Sequence, residues 1–356
     1  MDIGYLLRMA AEREASDVHV RAGAPAYLRI DGDLIPVPGD PMTADECEVL
    51  ALSLMPSEQH EAFLRNNEAD FAYTEPGVGR FRVNAFRQRG LVGLAMRRVL
   101  PATRSFESLG LPPTVRELAE ERRGLVLVTG MTGSGKTTTT AAMINHINMT
   151  RRCHIVTIED PIEVIHEDRM AIVDQREVGI DTADFHAALR SVTRQDPDVI
   201  FIGEMRDTET VAAALHSAET GHLVISTLHT TDATETVNRV IDFYPPYQQM
   251  QVRLSLAGSL KGIVCQRLLA RADGSGRVPA LEVLVANGRI REMIANPEET
   301  EQIASVIEEG EYYGMHTFDQ HLIRLYEAGE VSMEEALTAA TSPHDLTVRM
   351  RQAGLA

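Results

Sequence analysis

Residues Gly130 to Thr137 read GMTGSGKT and follow the apolar run Leu125-Val126-Leu127-Val128. The spelling G-x-x-x-x-G-K-[ST], placed after a strand and before a helical pattern that begins at Thr138, is that of a phosphate-binding loop. It commits this part of the chain to an α/β arrangement in which the loop leaves the carboxyl end of a strand. Gly130, Gly133 and Gly135 let the backbone turn tightly and aim its amides at phosphate oxygens, while the N-terminus of the following helix adds partial positive charge. Lys136 is expected to bridge the β- and γ-phosphates, and the Thr137 hydroxyl to ligate Mg²⁺. With Thr132, Ser134 and Thr138 these residues form the candidate site for a nucleoside triphosphate, ATP or GTP.

A chain of 356 residues exceeds the size at which a single core stays efficient, so two domains are expected. The apolar fraction of 44% supports packed cores and excludes a disordered chain. A formal net charge of −18 argues against non-specific binding to a polyanion, which draws its affinity from clustered Lys and Arg. A DNA-moving ring is disfavoured on this ground, although a channel inside a ring can be locally basic. Cys47, Cys153 and Cys265 stand far apart and form no C-x-x-C pair, so neither a zinc ribbon nor a disulfide framework is expected, and a reducing cytoplasm fits. No run of eighteen apolar residues is present, and the first residues, MDIGYLLRMAAERE, mix charges among apolar positions unlike a signal peptide. Direct membrane insertion is therefore not expected.

Along residues 1–100 the periodicities predict a small mixed α/β domain. Ile3, Leu6, Leu7 and Ala10 have helical spacing, and Val18, Val20, Leu28 and Ile30 flank a turn at Gly23-Ala24-Pro25. Thr43-x-x-Glu46 is a capping box for a helix running to about Met55. Two further strands are expected at 79–86 and 91–99, joined by the turn Gln88-Arg89-Gly90. Residues 101–114, rich in proline and without a sustained period, read as a linker. From 115 to 356 the pattern is a second domain, with strands expected at 125–129, 154–159, 170–176, 199–203 and 222–228, mostly alternating with helices. That alternation is the signature of a parallel sheet with crossover helices. From Tyr247 onward the chain reads as mostly helical, with Ser332-x-x-Glu335 as a capping box and Phe318, Leu322 and Leu325 as a core stripe.

Two acidic segments follow the loop. Thr157-Ile158-Glu159-Asp160-Pro161-Ile162-Glu163 ends a strand in three carboxylates, at the sheet edge where open α/β sheets bind ligands. Val199-Ile200-Phe201-Ile202 ends in Gly203-Glu204, where most phosphate-loop enzymes place an Asp that holds Mg²⁺. Glu204 is expected to reach the metal through a water, and either Glu204 or Glu163 is the candidate base for the attacking water. His222 and His229 bracket one strand and lie too far apart to share a metal, since extended residues rise about 3.3 Å each. His229, at the carboxyl end, is the better candidate to sense the γ-phosphate. Arg82 and Arg97 lie on expected strands of the first domain; alone they read as surface residues, but in a ring such arginines can neutralise charge on a neighbour's nucleotide.

These segments together resemble the type IV pilus retraction motors of the PilT type, within the secretion ATPase family. The loop at 130–137, the acidic segment at 157–163, Gly203-Glu204-Met205-Arg206-Asp207 and the histidine segment at 218–230 match in order and spacing, as do Ser16-Asp17-Val18-His19-Val20 and Arg82-Val83-Asn84-Ala85-Phe86. The resemblance implies a homohexameric ring of RecA-like phosphate-loop motor domains, each with a smaller PAS-like α/β N-terminal domain. It also implies ATP and Mg²⁺ as cofactors, with catalytic roles for Glu163, Glu204, His222 and His229, and for Arg82 and Arg97 acting across the active site. The expected place is the cytoplasmic side of the bacterial inner membrane, under a pilus platform protein of that membrane, with no nucleic acid partner. Extension motors usually carry a longer N-terminal region and a four-cysteine zinc site, which favours retraction here. One departure stands out: where retraction motors carry AIRNLIRE, this chain has Arg289-Ile290-Arg291-Glu292-Met293-Ile294-Ala295-Asn296. An accessory retraction paralogue and an assembly ATPase therefore remain alternative readings, ahead of a DNA-translocating ring or a nucleotide-gated scaffold without turnover.

Overall fold

The computed structural model describes residues 2–30, 32–101 and 105–355. It divides into two compact units, the first comprising residues 1–101 with 163–165 and the second the remainder.

In the first unit, α1 (Ile3–Glu12) starts where the Asp2 carboxylate accepts the amides of Gly4 and Tyr5. Three strands and two helices follow: β1 (Asp17–Arg21), β2 (Tyr27–Ile30), β3 (Asp33–Pro36), α2 (Ala44–Leu54) and α3 (Ser57–Asn66). Next come β4 (Glu68–Glu75), β5 (Gly79–Gln88) and β6 (Leu91–Arg98). The six strands form an antiparallel sheet in the order β3-β2-β1-β6-β5-β4. Thr43 and Glu46 close the expected capping box at the start of α2. The β5–β6 turn places Arg89 and Gly90 at φ 51° and 79°, the paired left-handed geometry whose twist suits a tight hairpin. Strand residues alternate as a one-sided sheet requires: Phe81, Val83, Leu94 and Met96 are buried in this unit's core, while Arg82 and Arg97 stand on the exposed face. A short strand β7 (Leu100–Pro101) pairs in parallel with Val164–Ile165, which brings Glu163–Ile165 into this unit.

The second unit begins with α4 (Pro113–Glu120) and β8 (Gly124–Thr129), followed by α5 (Lys136–Thr150), β9 (His154–Glu159) and β11 (Ile172–Glu177); the intervening β10 (Val164–Ile165), the partner of β7, belongs to the first unit. Then come α6 (Phe185–Val192), β12 (Val199–Ile202), α7 (Thr208–Glu219), β13 (Leu223–Leu228), α8 (Ala233–Asp242) and α9 (Pro246–Ser259). A long hairpin, β14 (Leu260–Ala270) and β15 (Arg277–Val285), leads into α10 (Gly288–Ala295), α11 (Ile303–Glu308), α12 (Phe318–Glu327), α13 (Met333–Ala339) and α14 (Pro343–Gln352). Seven strands form one sheet in the order β11-β9-β12-β13-β8-β14-β15, parallel except for the edge strand β15. Both faces are covered: Leu125 and Leu127 enter one core, Val126 and Val128 the other. This burial on both sides explains the largely apolar, non-alternating runs of the central strands. Phe318, Leu322 and Leu325 are buried in the larger core.

Two expectations change. The reading of residues after 247 as mostly helical misses the β14–β15 hairpin, which completes the sheet beside β8. Leu260, Ile263, Val264 and Leu268 satisfy a helical period as well as a buried strand, and a strand covered on both faces shows no alternation to break the tie. Residues 105–113, read as linker, place Phe106 and Leu111 in a core of the second unit; Ala102, Thr103 and Arg104 of that expected linker lie outside the described residues. Among the described residues no helix is long and apolar enough to cross a membrane.

Candidate active site

The site grows from the carboxyl edge of the parallel sheet. Strand β8 ends at Thr129 and the chain turns through Gly130–Gly135 into α5, whose cap residue Gly135 sits at φ 93°. Among the described residues, Asp, Asn, Ser or Thr side chains cap nine helices, whereas no side chain caps α5, as is also true of α3, α4, α9 and α11. Its leading turn is thus free of an internal acceptor, the condition under which a helix N-terminus holds a phosphate. A side chain at Gly130 would place its Cβ 2.4 Å from the Gln266 carbonyl and 2.5 Å from the Ser134 hydroxyl, so only glycine lets the loop close here. Lys136 Nζ donates to the carbonyls of Gly130 (2.6 Å) and Met131 (3.2 Å), lying across the loop it follows. Ser134 Oγ is buried without a hydrogen-bond partner among the described residues, a condition that a ligand oxygen would relieve. Thr137 and Thr138 are exposed on the first turn of α5. A cleft of ≈ 230 Å³ lies against the loop, lined by Gly130 to Ser134, by Thr231 and by Gln266 to Leu268. An uncapped helix start, an orphaned buried hydroxyl and a lysine laid over the loop together fit the phosphates of a nucleotide and the single hydroxyl ligand that Mg²⁺ takes from such a loop.

The adjoining loops supply the ionisable groups. Because β13 lies between β8 and β12, the residues after each strand line up along the same edge. Gly203 follows β12 in tight quarters: a Cβ there would sit 3.3 Å from the Ile158 carbonyl and 3.4 Å from the Glu159 Cα. Its carbonyl accepts the Thr227 hydroxyl at 2.7 Å, and the Met205 amide donates to the Thr227 carbonyl at 3.1 Å, so Glu204 hangs from a pinned turn. The Glu204 carboxylate meets His229 Nε2 at 3.3 Å through one oxygen and Arg206 Nε at 2.8 Å through the other. His229 thus stands between the phosphate loop and the acidic turn in strand order and bonds across to Glu204. Strand order sets this pair on the same sheet edge as the phosphate loop, although neither residue lines the cleft itself.

The remaining expected residues are placed as follows. His222 precedes β13 at the opposite edge of the sheet, beside Gly124, where its Nδ1 lies 3.0 Å from the Ser217 carbonyl. The fold of the second unit does not bring it to the loop, since six strand residues, about 20 Å, intervene. Glu163 is exposed and belongs to the first unit, whereas the buried member of that acidic segment is Glu159, which accepts from Thr157 Oγ1 (2.7 Å) and Gln175 Nε2 (3.2 Å). In the first unit, Arg29, Asp17, Arg97 and Arg82 form one registered row across four strands. Arg97 Nε donates to Asp17 Oδ1 at 2.8 Å and Arg29 Nε lies 3.8 Å from the other carboxylate oxygen. Burial would raise the Asp17 carboxyl, but bonds from Ser16 and Arg97 outweigh it and hold it below the usual carboxylate range. Arg82 is exposed directly opposite Arg97, a like-charge juxtaposition that disfavours the bare sheet and that an anion would relieve.

Two residues at the site carry no signal in the sequence reading. Gln266 and Arg267 lie on β14, and their approach to the loop follows only from that strand's pairing with β8.

The Type II/IV secretion system protein family model matches residues 3–341. The Type IV pilus retractation ATPase PilT of Pseudomonas aeruginosa is 43% identical over 97% of this chain and 100% of that protein. The Type IV pilus ATPase PilU of the same organism is 41% identical over 99% of this chain and 92% of that protein. Among solved structures, a crystal structure of the pilus retraction motor PilT with bound ADP superposes with a TM-score of 0.90 at 46% identity, covering 98% of this chain and 99% of that one. With the phosphate loop, the acidic turn and the histidine aligned on one sheet edge, and with a match running nearly end to end, the chain belongs to the Type II/IV secretion system protein family.

Proposed function

We propose that this chain is a Mg²⁺-dependent ATPase that works as a homohexamer on the cytoplasmic side of the inner membrane and powers retraction of type IV pili. The observation that carries the reading is the 3.3 Å pairing of His229 with Glu204, made at the end of β13, the strand that lies between the phosphate loop and the acidic turn. Full-length similarity to PilT and to PilU supports the same assignment.

In this reading the loop amides and Lys136 hold the β- and γ-phosphates of ATP, with Lys136 exchanging its present carbonyl partners for phosphate oxygens. Thr137 would be the hydroxyl ligand of Mg²⁺, which when bound would supply charge neutralisation at those oxygens. Glu204 orients the attacking water and draws its proton, and His229 keeps that carboxylate aimed toward the γ-phosphate. Glu163 is the second candidate for the base. Arg82 and Arg97, from a neighbouring subunit, stabilise charge in the transition state as the N-terminal unit turns against the adjoining motor unit. The pilus platform protein receives that motion.

Pilus behaviour in cells lacking the chain tests the proposal: excess surface pili with lost twitching are expected, and bald cells would overturn it in favour of assembly. A second reading, an accessory retraction ATPase, is favoured by Ala295-Asn296 at the end of α10 and by the similarity to PilU. Restoration of twitching by this chain alone, in cells stripped of every other retraction ATPase, would exclude it.

A further inference from the structure

Strand β14 runs parallel to β8 with Cys265 opposite Thr129, so Gln266 stands where the phosphate loop leaves its strand. Three observations converge on this residue. Its carbonyl lies 2.4 Å from the Cβ that any side chain at Gly130 would carry, and its Nε2 lies 2.7 Å from the corresponding position at Gly135. One residue thus crowds both ends of the loop. Its Oε1 accepts the Thr139 hydroxyl at 2.9 Å, with Gln266 3% and Thr139 2% exposed, which ties the amide to the first turns of α5. The planar amide so anchored turns Nε2 toward the cap of α5, in the wall of the cleft that faces Met131 to Ser134.

We propose that Gln266 is a positioning residue for the nucleotide: it sets the aperture of the phosphate loop through Gly130, Gly135 and Thr139, and so governs affinity for the triphosphate without taking part in the chemistry. The inference rests on the reading of residues 130–138 as a triphosphate site. It also gives β14 a role beyond packing, because the strand that follows α9 becomes one wall of the site.

The test measures ATP binding and steady-state turnover by the full-length protein. Gln266→Glu keeps the shape and the acceptor for Thr139 but puts a carboxylate under the phosphates. KM and Kd for ATP are expected to rise about tenfold or more, while kcat falls less than threefold. A role confined to core packing would instead lower the melting temperature without nucleotide and leave KM unchanged. Should the buried charge unfold the chain, Thr139→Val and Thr139→Ser carry the same test: removal of the hydroxyl is expected to raise KM several-fold and its retention in serine to restore it. Wild-type KM in Gln266→Glu, or in Thr139→Val where the glutamate variant does not fold, would overturn the proposal, provided that Lys136→Ala loses ATP binding. If Lys136→Ala also binds ATP as wild type does, the nucleotide site itself falls, and this inference with it.

Discussion

Glu282 on β15 is a carboxyl group held where a charge is costly, and its removal gives a prediction whose size follows from the structure. The side chain is 7% exposed, and its Oε1 accepts the Ala233 amide at 2.9 Å at the start of α8. Burial pushes its pKa from 4.5 up to about 7; the Ala233 amide and Arg267 pull it down, and Asp232 pushes it further up. Between these two values the folded chain keeps a proton that the unfolded chain has released. Stability contributed by the neutral acid is therefore present below pH 4.5 and is lost as pH rises through about 7. The full cost is about 3 kcal/mol, of which roughly 2.5 kcal/mol accrues between pH 5 and pH 8. Glu282→Gln keeps the acceptor for Ala233 and removes the ionisation. Thermal melts of both proteins at pH 5 and pH 8 cancel any constant packing penalty of the substitution. The variant's melting temperature relative to wild type is expected to rise by about 5–10 °C from pH 5 to pH 8. An equal difference at the two pH values would refute the reasoning, since it would mean that Glu282 ionises in the folded chain as easily as in water.

Further predictions concern the loop and the arginines. Gly135→Ala forces a β-carbon into a left-handed residue at φ 93° and to within 2.7 Å of Gln266 Nε2; the backbone strain of about 1–2 kcal/mol should lower the melting temperature by about 3–6 °C and remove stabilisation by ATP in the same thermal-shift assay. Arg82→Ala and Arg97→Ala should each lower kcat by about 10³-fold or more while ADP affinity, measured by calorimetry, stays near wild type.

The phosphate loop was legible because its chemistry is local: three glycines, Lys136 and Thr137 act at fixed spacing, whatever surrounds them. The parallel strands were legible for a related reason, since burial on both faces writes an unbroken apolar run into Leu125–Val128 of β8 and into β12, and a run broken only by Ser226 and Thr227 into β13. Residues 260–285 escaped because the same kind of run fits helix and strand alike, and the pairing of β14 with β8 is settled by the sheet's free edge rather than by local preference. Gln266 was hidden with it, as a residue more than a hundred positions from Thr139 meets it only through that pairing. In the acidic segment the sequence reading singled out Glu163 among three carboxylates, without any local signal for which of them is buried. Burial separates them in the structure, with Glu159 inside and Glu163 exposed.

The central claim is that the loop at 130–138 and the carboxylate of Glu204 form one hydrolytic site. Phosphate release and ATP binding, measured together on purified wild-type, Lys136→Ala and Glu204→Gln proteins with Mg²⁺, test it most directly. The account predicts steady turnover by wild type, loss of binding or turnover in Lys136→Ala, and in Glu204→Gln retained ATP binding with turnover reduced about 10²-fold or more. Wild-type rates of phosphate release from both variants would contradict it.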